Sequence, residues 1–349
     1  MGIKNLHTFI RKINKDIYKT VNLQSLAGKT LAVDTSIFMC KYKSMLGSRW
    51  LSGFWNLILC MKRNQINVIF IYDSKAPPEK DDERLLRQEQ REKQKERVSN
   101  IMKDWMKVEQ EMKIGTEKID KNEFLVKIES YSSLYSFLKK SEFESKYDII
   151  NLLHKVEKTV ITITVDDFNL TKKLFKIMGI SCQDAFGEAE ATCSFLNRIG
   201  IVDGVLTEDT DVLAYRTPSM YHNINTKENT VVQLDIKSIL EELELEENEF
   251  LDFCILCGTD YNQNLNLIGP QKSYQLIKKY KTIDQFDAED KLFNKKAKEQ
   301  LIQLNYERIR KLFNPDYEYN DDRELNNEIN KNELKNFCFY NNLRYELFN

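Results

Sequence analysis

The stretch GEAEATCSFLNRIGIVDGVLTEDTD, residues 187–211, decides the fold of this chain. Its first part, GEAEATCSFLNRIG, predicts a helix that begins with the acidic residues Glu188 and Glu190. Its second part, VDGVLTEDTD, predicts a buried strand that continues into an acidic loop from Glu208 to Asp211. A helix that leads into a short apolar strand is typical of an α/β protein.

Two more buried strands are predicted on the N-terminal side of this stretch. They are KTLAVD, residues 29–34, and NVIFIYD, residues 67–73, and each ends in an aspartate. Shorter strand signals occur at GISCQDA, MYHNI and TVVQLD. Strands that alternate with helices predict a mainly parallel central sheet covered by helices on both faces. Because strand ends line the crevice of such a sheet, Asp34, Asp73 and the acidic loop are expected to lie together.

The predicted helices differ strongly in charge. After the turn APPEKDD, residues 82–113 are densely charged and lack Gly and Pro, which predicts a long, solvated helix. Residues 114–158 are mixed, and no boundary is predicted there. Amphipathic or apolar helices are predicted at DDFNLTKKLFKIMG, DIKSILEEL, ENEFLDFCILCG and, opened by a proline, GPQKSYQLIKKYK.

The composition limits the classes of function. Hydrophobic residues make up 42% of the 349 residues, which is enough for a large core. The 52 basic and 54 acidic side chains give a net charge of −2, which argues mildly against a nucleic-acid binder. Seven scattered cysteines indicate reduced thiols in an intracellular protein, and only three histidines accompany them, which disfavours a zinc site. The longest apolar stretch, LSGFWNLILCM, is too short to span a membrane.

The acidic residues form the main chemical signal. Each alone is expected on the surface, and Glu188 and Glu190 also suit a helix start. Asp209 and Asp211 are two apart, so an extended segment would point both the same way. Asp260 directly follows a predicted helix. If such carboxylates converge, cations must neutralise them, and oxygen ligands select Mg²⁺ or Mn²⁺. Two such ions suit phosphodiester hydrolysis.

Five segments resemble the flap-endonuclease/XPG family over nearly the whole chain. They are MGIKNL, GKTLAVDTS, FIYDSKAPP, FGEAEATCSFLNRIGIVDGVLTEDTDVLAY and FLDFCILCGTDYNQNLNLIGPQKSYQLIKKYKTI. The resemblance implies a PIN-like 5′ nuclease fold with a helical arch and a helix–two-turn–helix motif. It implies two bound Mg²⁺ ions, for which Mn²⁺ can substitute. Seven residues are the implied ligands: Asp34, Asp73, Glu188, Glu190, Asp209, Asp211 and Asp260.

The resemblance also implies roles around the metal cluster. The free N-terminus and Gly2 are expected beside the active site, and Asp209 is expected to be essential for catalysis. Lys80 and Arg87 match the family's basic pair that contacts the scissile phosphate. Because they are seven residues apart, we expect them on one face of a helix, although exposed helix charges are an equal alternative.

The segment from Cys257 to Tyr280 resembles the family's helix–two-turn–helix. Such a motif offers backbone N–H groups at a helix start to a DNA phosphate, and in the family it can hold a monovalent cation. The DNA contacts expected here are Gly269, Lys272, Lys278 and Lys279. The chain departs from the family at Leu267, where glycine is usual, and at Cys40, where flap endonucleases typically place tyrosine.

These expectations combine into one domain organisation and one function. We expect a single nuclease domain over residues 1–349, made of five parts. They are an N-terminal region (1–80), an arch or insert (81–158), an internal region (159–262), the helix–two-turn–helix (255–285) and a C-terminal extension (286–349). The expected activity is Mg²⁺-dependent hydrolysis of branched or 5′-ended DNA near single-strand/duplex junctions, in replication, repair or recombination.

The expected setting of this activity follows from what else the sequence carries. No sliding-clamp segment is recognisable near Asn349, and no oligomer is required. The chain resembles compact members encoded by large DNA viruses. We expect a nuclear location, or a viral factory.

Three other interpretations remain open at this point. An RNA-cleaving member of the same superfamily would share the metal site, and only the helix–two-turn–helix favours duplex DNA. A non-catalytic binding module would be expected to lose some of the carboxylates. An unrelated α/β protein would need the whole ordered set of motifs to be accidental.

Overall fold

The computed structural model describes residues 2–112, 114, 118–160, 162–287, 289–319 and 329–348. The described chain forms two compact units, and each is considered by itself. The first unit comprises residues 1–39, 51–80 and 165–349, and the second comprises residues 40–50 and 81–164. Among the described residues, no helix is both long enough and apolar enough to cross a membrane.

A seven-stranded sheet forms the centre of the first unit. Its strands in chain order are β1 (Lys19–Asn22), β2 (Thr30–Asp34), β3 (Asn67–Tyr72), β4 (Ser181–Asp184), β5 (Gly204–Leu206), β6 (Ser219–Asn225) and β7 (Thr230–Asp235). The order across the sheet is β1-β7-β6-β5-β2-β3-β4. The five strands from β6 to β4 are parallel, while β7 is antiparallel to both β6 and β1. The predicted mainly parallel sheet is therefore confirmed, and its antiparallel part lies at one edge.

The structure contains the predicted helices and several that the sequence did not predict. Those before the long helix are α1 (Leu6–Ile13), α2 (Thr35–Leu46) and α3 (Leu51–Arg63). The second unit contains α4 (Asp81–Met112), α5 (Lys121–Lys127), α6 (Ser132–Leu138) and α7 (Lys146–Glu157). The rest of the first unit contains α8 (Val165–Ile177), α9 (Ala189–Arg198), α10 (Asp211–Ala214), α11 (Ile236–Leu243), α12 (Glu247–Cys257), α13 (Pro270–Tyr280), α14 (Lys295–Gln303), α15 (Tyr306–Leu312) and α16 (Lys331–Tyr340).

The densely charged stretch of the sequence forms the long helix α4. It runs for 32 residues, as its lack of Gly and Pro predicts, and Lys113 lies outside the described residues. Its second half buries Ile101, Trp105 and Val108, which pack with α5, α6 and α7 into a separate hydrophobic cluster. The charged helix is therefore solvated along its first half and anchored along its second.

The strand order places three acidic chain segments side by side. β5 pairs with β2 and β2 pairs with β3, all in parallel, so their carboxyl ends meet at one edge. Neighbouring strands lie about 4.8 Å apart. The segments that leave these three ends carry Asp34, Asp73 and the loop containing Asp209. The sheet alone thus brings the first predicted carboxylates together.

Candidate active site

The strand-end aspartates are fixed by hydrogen bonds from the segments that follow them. Asp34 is buried, and its Oδ1 accepts the backbone N–H of Ile37 at 3.2 Å. Asp73 is exposed, and its Oδ1 accepts the backbone N–H of Ala189, the first residue of α9, at 2.8 Å. This bond ties the start of α9 to the end of β3, so the two glutamates of that helix reach the same crevice.

Lys80 lies among the carboxylates of α9 and Asp260. Its Nζ donates to Glu188 Oε1, and it lies 3.2 Å from Glu190 Oε1 and 3.1 Å from Asp260 Oδ2. Its side chain is only 12% exposed. Burial alone would lower the pKa of Lys80, but the charges of Glu190, Glu188 and Asp260 outweigh burial and raise it. The ammonium group therefore stays charged and neutralises part of the cluster.

Asp209 and Asp211 lie in a turn, not in an extended segment. Thr210 has helical backbone angles and Asp211 begins α10. The backbone N–H of Asp211 donates to Asp209 Oδ1 at 3.0 Å, so the two side chains meet through a tight turn. The sequence analysis expected both side chains to point the same way in an extended segment. The segment is not extended there, because the strand already ends at Leu206. Both carboxylates nevertheless face the cluster, because the charge of Asp209 acts on Asp211.

Six of the seven predicted ligands are buried acids that act on one another. They are Asp34, Glu188, Glu190, Asp209, Asp211 and Asp260. Burial first, then the charges of Asp73 and Asp209, raise the pKa of Asp34 to about 8. Burial is also the first cause that raises the pKa values of Glu190 and Asp211 well above the ordinary range. Even with Lys80 among them, these acids outnumber the positive charge in the cluster.

The donor set fits hard divalent cations. All the predicted ligands offer carboxylate oxygens, which are the ligands that Mg²⁺ and Mn²⁺ prefer. Oδ1 of Asp211 is buried without a hydrogen-bond partner in the described part of the chain, so it has an unused acceptor. As they stand, no three described His, Cys, Asp or Glu side chains form a ready cage for an ion. Lys80 contacts three of the acids and supplies positive charge within the cluster.

Gly2 lies against the acidic loop, as expected for the N-terminal segment. It has φ +84°, and a Cβ added there would lie 2.1 Å from Asp209 Oδ1 and 2.6 Å from Thr210 Oγ1. Only glycine fits this position. The predicted place of the free N-terminus concerns Met1, which lies outside the described residues.

Lys80 and Arg87 lie on different elements of the structure. Lys80 ends a short 3₁₀ turn that Pro78 begins, and α4 begins one residue later at Asp81. The proline turn delays the helix, a feature that residue spacing does not reveal. Arg87 lies on α4 in the second unit, where its Nε is 2.9 Å from Glu83 Oε1. Its role at the phosphate stays a prediction.

Tyr261 is a contact that the sequence analysis missed. Its hydroxyl donates to Glu188 Oε2, and the hydroxyl of Tyr215 lies 2.6 Å from that of Tyr261. The available signal was its position directly after Asp260 in the segment GTDY. A tyrosine at such a position is more often a core residue, so the type alone does not indicate a role.

The expected helix–two-turn–helix is formed by α12, a loop and α13. Gly269 caps α13 without a side-chain hydrogen bond, Pro270 is its first residue, and a Cβ on Gly269 would meet nothing within 4 Å. Leu267 has a left-handed backbone conformation, with φ +58°, which glycine adopts more easily than leucine, and it is 72% exposed.

The three lysines predicted near this motif differ. Lys278 Nζ donates to Glu244 Oε2 at 2.8 Å, and Lys279 Nζ donates to the buried Asp290 at 2.7 Å. Lys272 has no ion-pair partner among the described residues. Two of the predicted DNA contacts are thus already engaged within the protein. The third, Lys272, is not.

Comparison with known proteins decides the family. The chain matches the XPG N-terminal domain over residues 1–94 and the XPG I-region over residues 179–260. A probable RAD2-like endonuclease of Invertebrate iridescent virus 6 is 33% identical over 336 residues, which covers 90% of this chain and 79% of that relative. This chain belongs to the XPG nuclease family.

Two more relatives agree with this membership. The flap endonuclease 1 of Candida dubliniensis is 28% identical over 340 residues, 90% of this chain and 78% of the relative. The solved catalytic core of Rad2 in complex with DNA substrate superposes with a TM-score of 0.68 at 19% identity and covers 99% of this chain and 97% of that one. The XPG-family nuclease therefore has the PIN-like 5′ nuclease fold that the resemblance implied. The interpretation of this chain as an unrelated α/β protein is therefore excluded.

Proposed function

We propose that this XPG-family nuclease hydrolyses phosphodiester bonds of DNA near single-strand/duplex junctions, above all at 5′ flaps. The single observation that carries the proposal is the cluster of six buried carboxylates at the sheet edge, with Lys80 among them. A fold does not need such a cluster, because unpaired buried acids cost free energy. The relatives named as flap endonucleases and the DNA-bound Rad2 core support DNA as the substrate.

The site is proposed to use two divalent cations, Mg²⁺ or Mn²⁺. When bound, such ions activate water and stabilise the charge on the attacking and leaving oxygens. The proposed ligands include six buried acids: Asp34, Glu188, Glu190, Asp209, Asp211 and Asp260. The seventh proposed ligand is Asp73, which is exposed. Hydrolysis is proposed to leave a 5′-phosphate and a 3′-hydroxyl.

Lys80 and the acidic loop have roles of their own in this proposal. The ammonium group of Lys80 lies in the same crevice and carries the positive charge that would meet the scissile phosphate. Gly2 lets the chain pass within contact of Asp209. Arg87 is proposed to act with Lys80.

Duplex DNA is proposed to bind at the start of α13. The open space at Gly269 leaves the backbone N–H groups of the helix start accessible to a phosphate. Lys272 is proposed to add positive charge there. We also propose that this motif binds a monovalent cation, as the motif can in the family. These features favour duplex DNA over the alternative RNA substrate, which remains a second candidate for the same site. We propose that the protein acts in the nucleus or in a viral factory.

A panel of end-labelled substrates in Mg²⁺ tests the proposed function. It contains a 5′ flap, a gap, a bubble, a Holliday junction and a linear duplex, each with a matched RNA flap. The proposal expects incision near the junction of the DNA flap with 5′-phosphate products. Preferential cleavage of the RNA flap would favour the second candidate, and no cleavage of any substrate would contradict nuclease activity.

A further inference from the structure

Two tyrosine hydroxyls form a chain that ends on Glu188. Tyr261 donates to Oε2 of Glu188, while Oε1 of the same carboxylate accepts from Lys80. The hydroxyl oxygen of Tyr215 lies 2.6 Å from that of Tyr261, and Tyr215 is buried. Glu188 is therefore held from two sides by donors of different kinds.

The direction of this chain follows from proton counting. A phenol has one proton, and an ionised carboxylate only accepts. Because Tyr261 gives its proton to Glu188, its oxygen must accept the proton of Tyr215. The order is Tyr215 to Tyr261 to Glu188.

The backbone around each tyrosine connects the chain to the other carboxylates. Tyr261 directly follows Asp260, and its backbone N–H donates to Thr259 Oγ1 at 3.0 Å, which fixes the turn after α12. Tyr215 directly follows α10, the short helix that Asp211 begins.

One buried aromatic ring braces both tyrosines. Phe313 packs against them at ring distances of 4.8 Å from Tyr215 and 5.1 Å from Tyr261. The hydroxyl chain thus rests on a rigid support that also places Asp211 and Asp260.

We propose that Tyr261 is a positioning residue that fixes Glu188 in the orientation needed to hold a divalent cation, and that Tyr215 orients the Tyr261 hydroxyl. The inference rests on the proposed metal-dependent function. The bond from Tyr261 to Oε2 would keep the Glu188 carboxylate in place with a cation bound in the crevice. Loss of such an outer hydrogen bond typically weakens metal affinity about 10–100-fold.

Metal affinity of the full chain, without DNA, tests this inference. Mn²⁺ binding is followed by electron paramagnetic resonance for the wild type, Tyr261→Phe, Tyr215→Phe and Tyr274→Phe. Tyr274 is the matched control, because its hydroxyl donates to the backbone carbonyl of Leu243 at 2.9 Å, away from the acids. We expect Tyr261→Phe to weaken Mn²⁺ affinity about 10–100-fold, Tyr215→Phe to weaken it less, and Tyr274→Phe to leave it unchanged.

The outcomes separate this inference from the proposed function. Mn²⁺ affinity of Tyr261→Phe equal to that of Tyr274→Phe would overturn the positioning role, since a core tyrosine would change only the melting temperature. If Tyr261→Phe lost its native circular dichroism, Tyr215→Phe would decide: weaker affinity supports the proposal and unchanged affinity overturns it. Glu188→Gln is measured alongside. Unchanged Mn²⁺ affinity in Glu188→Gln would contradict the metal site itself. Weaker Mn²⁺ affinity in Glu188→Gln, with unchanged affinity in Tyr261→Phe, would contradict only the positioning role of the tyrosines.

Discussion

At the scale of single residues, Lys80 has the most unusual surroundings. Its side chain is 12% exposed and contacts Glu188, Glu190 and Asp260. Burial is the first cause that raises the pKa values of three carboxylates of this cluster, Asp34, Glu190 and Asp211. A lysine in this position can both neutralise the cluster and meet a phosphate.

Replacing this lysine should affect chemistry more than binding. We expect Lys80→Ala to slow single-turnover cleavage of a 5′ flap by about 10²–10³, because one preorganised positive charge is lost from the transition state. Flap affinity, measured by fluorescence anisotropy, should fall far less. We expect Arg87→Ala to behave in the same way.

Lys93→Ala is the control for both variants. Lys93 lies on the same helix as Arg87, is 77% exposed and pairs only loosely with Glu89 at 3.7 Å. Equal, small binding defects in all three variants, with normal single-turnover rates, would mean that these charges are only solvated.

Gly2 offers a second test at a single residue. Gly2→Ala would place a methyl group 2.1 Å from Asp209 Oδ1, so we expect the acidic loop to shift and cleavage to fall at least about tenfold. Gly28→Ala is the matched control, since Gly28 has φ +82° but open space around its missing Cβ.

Both variants place alanine in a left-handed conformation, which costs about 1 kcal/mol. Denaturant unfolding should therefore show a loss for both, larger for Gly2→Ala because of the added clash, while only Gly2→Ala loses activity. Wild-type cleavage by Gly2→Ala would contradict the close approach to Asp209.

At the scale of elements, the strand ends were predictable and the turns were not. Apolar runs correctly predicted β2, β3 and β5 and the acidic residues that follow them. A strand that is buried on both faces is recognisable because its residues form an unbroken apolar run. The 3₁₀ turn at Lys80 and the turn at Asp209 depend on local hydrogen bonds, which residue spacing does not encode. The antiparallel β1 was missed because KTVN is short and mostly exposed.

The helix–two-turn–helix gives a prediction about its lysines. We expect Lys272→Ala to weaken duplex binding and to reduce the slope of log K against log salt by about one. Lys279→Ala should change the slope little, because its ammonium group is already paired with the buried Asp290. Its loss should appear as a lower melting temperature instead. A larger change in slope for Lys279→Ala than for Lys272→Ala would reverse this assignment.

At the scale of the whole molecule, the acid cluster opposes folding when no cation is bound. The folded pKa of Asp34 is raised from 3.8 to about 8, mainly by burial, so the folded protein keeps a proton that the unfolded chain releases. Stability therefore falls as the pH rises between these two values. Lys80, whose pKa is raised, contributes stability throughout this window.

We expect the melting temperature in a chelator to be lower at about pH 8 than at about pH 5.5. Added Mg²⁺ should raise it more at the higher pH, because the ionised carboxylates bind the cation. Asp34→Asn should flatten the pH dependence in the chelator. A melting temperature that increases with pH in the chelator would show that the acids are not held protonated by burial.

The membership of the chain in the XPG family and most of the carboxylate set could be predicted from sequence, because the motifs keep their order over the whole chain. The hydroxyl chain of Tyr215 and Tyr261 could not, since it joins residues 46 positions apart through side chains alone. The same holds for the ion pairs of Lys278 and Lys279, whose partners are acids outside the motif.

In the proposed function, the buried carboxylates carry the reaction. Single-turnover cleavage of a 5′-flap DNA in Mg²⁺ by Asp209→Asn tests this claim directly. The control is Asp184→Asn, because Asp184 also ends a parallel strand but is exposed and paired with Lys172 at 2.7 Å. We expect Asp209→Asn to lose at least about 10³ in rate while it still binds the flap, since each 1.4 kcal/mol of lost transition-state stabilisation is about tenfold. Asp184→Asn should cleave like the wild type. Near-normal cleavage by Asp209→Asn would contradict the carboxylate site.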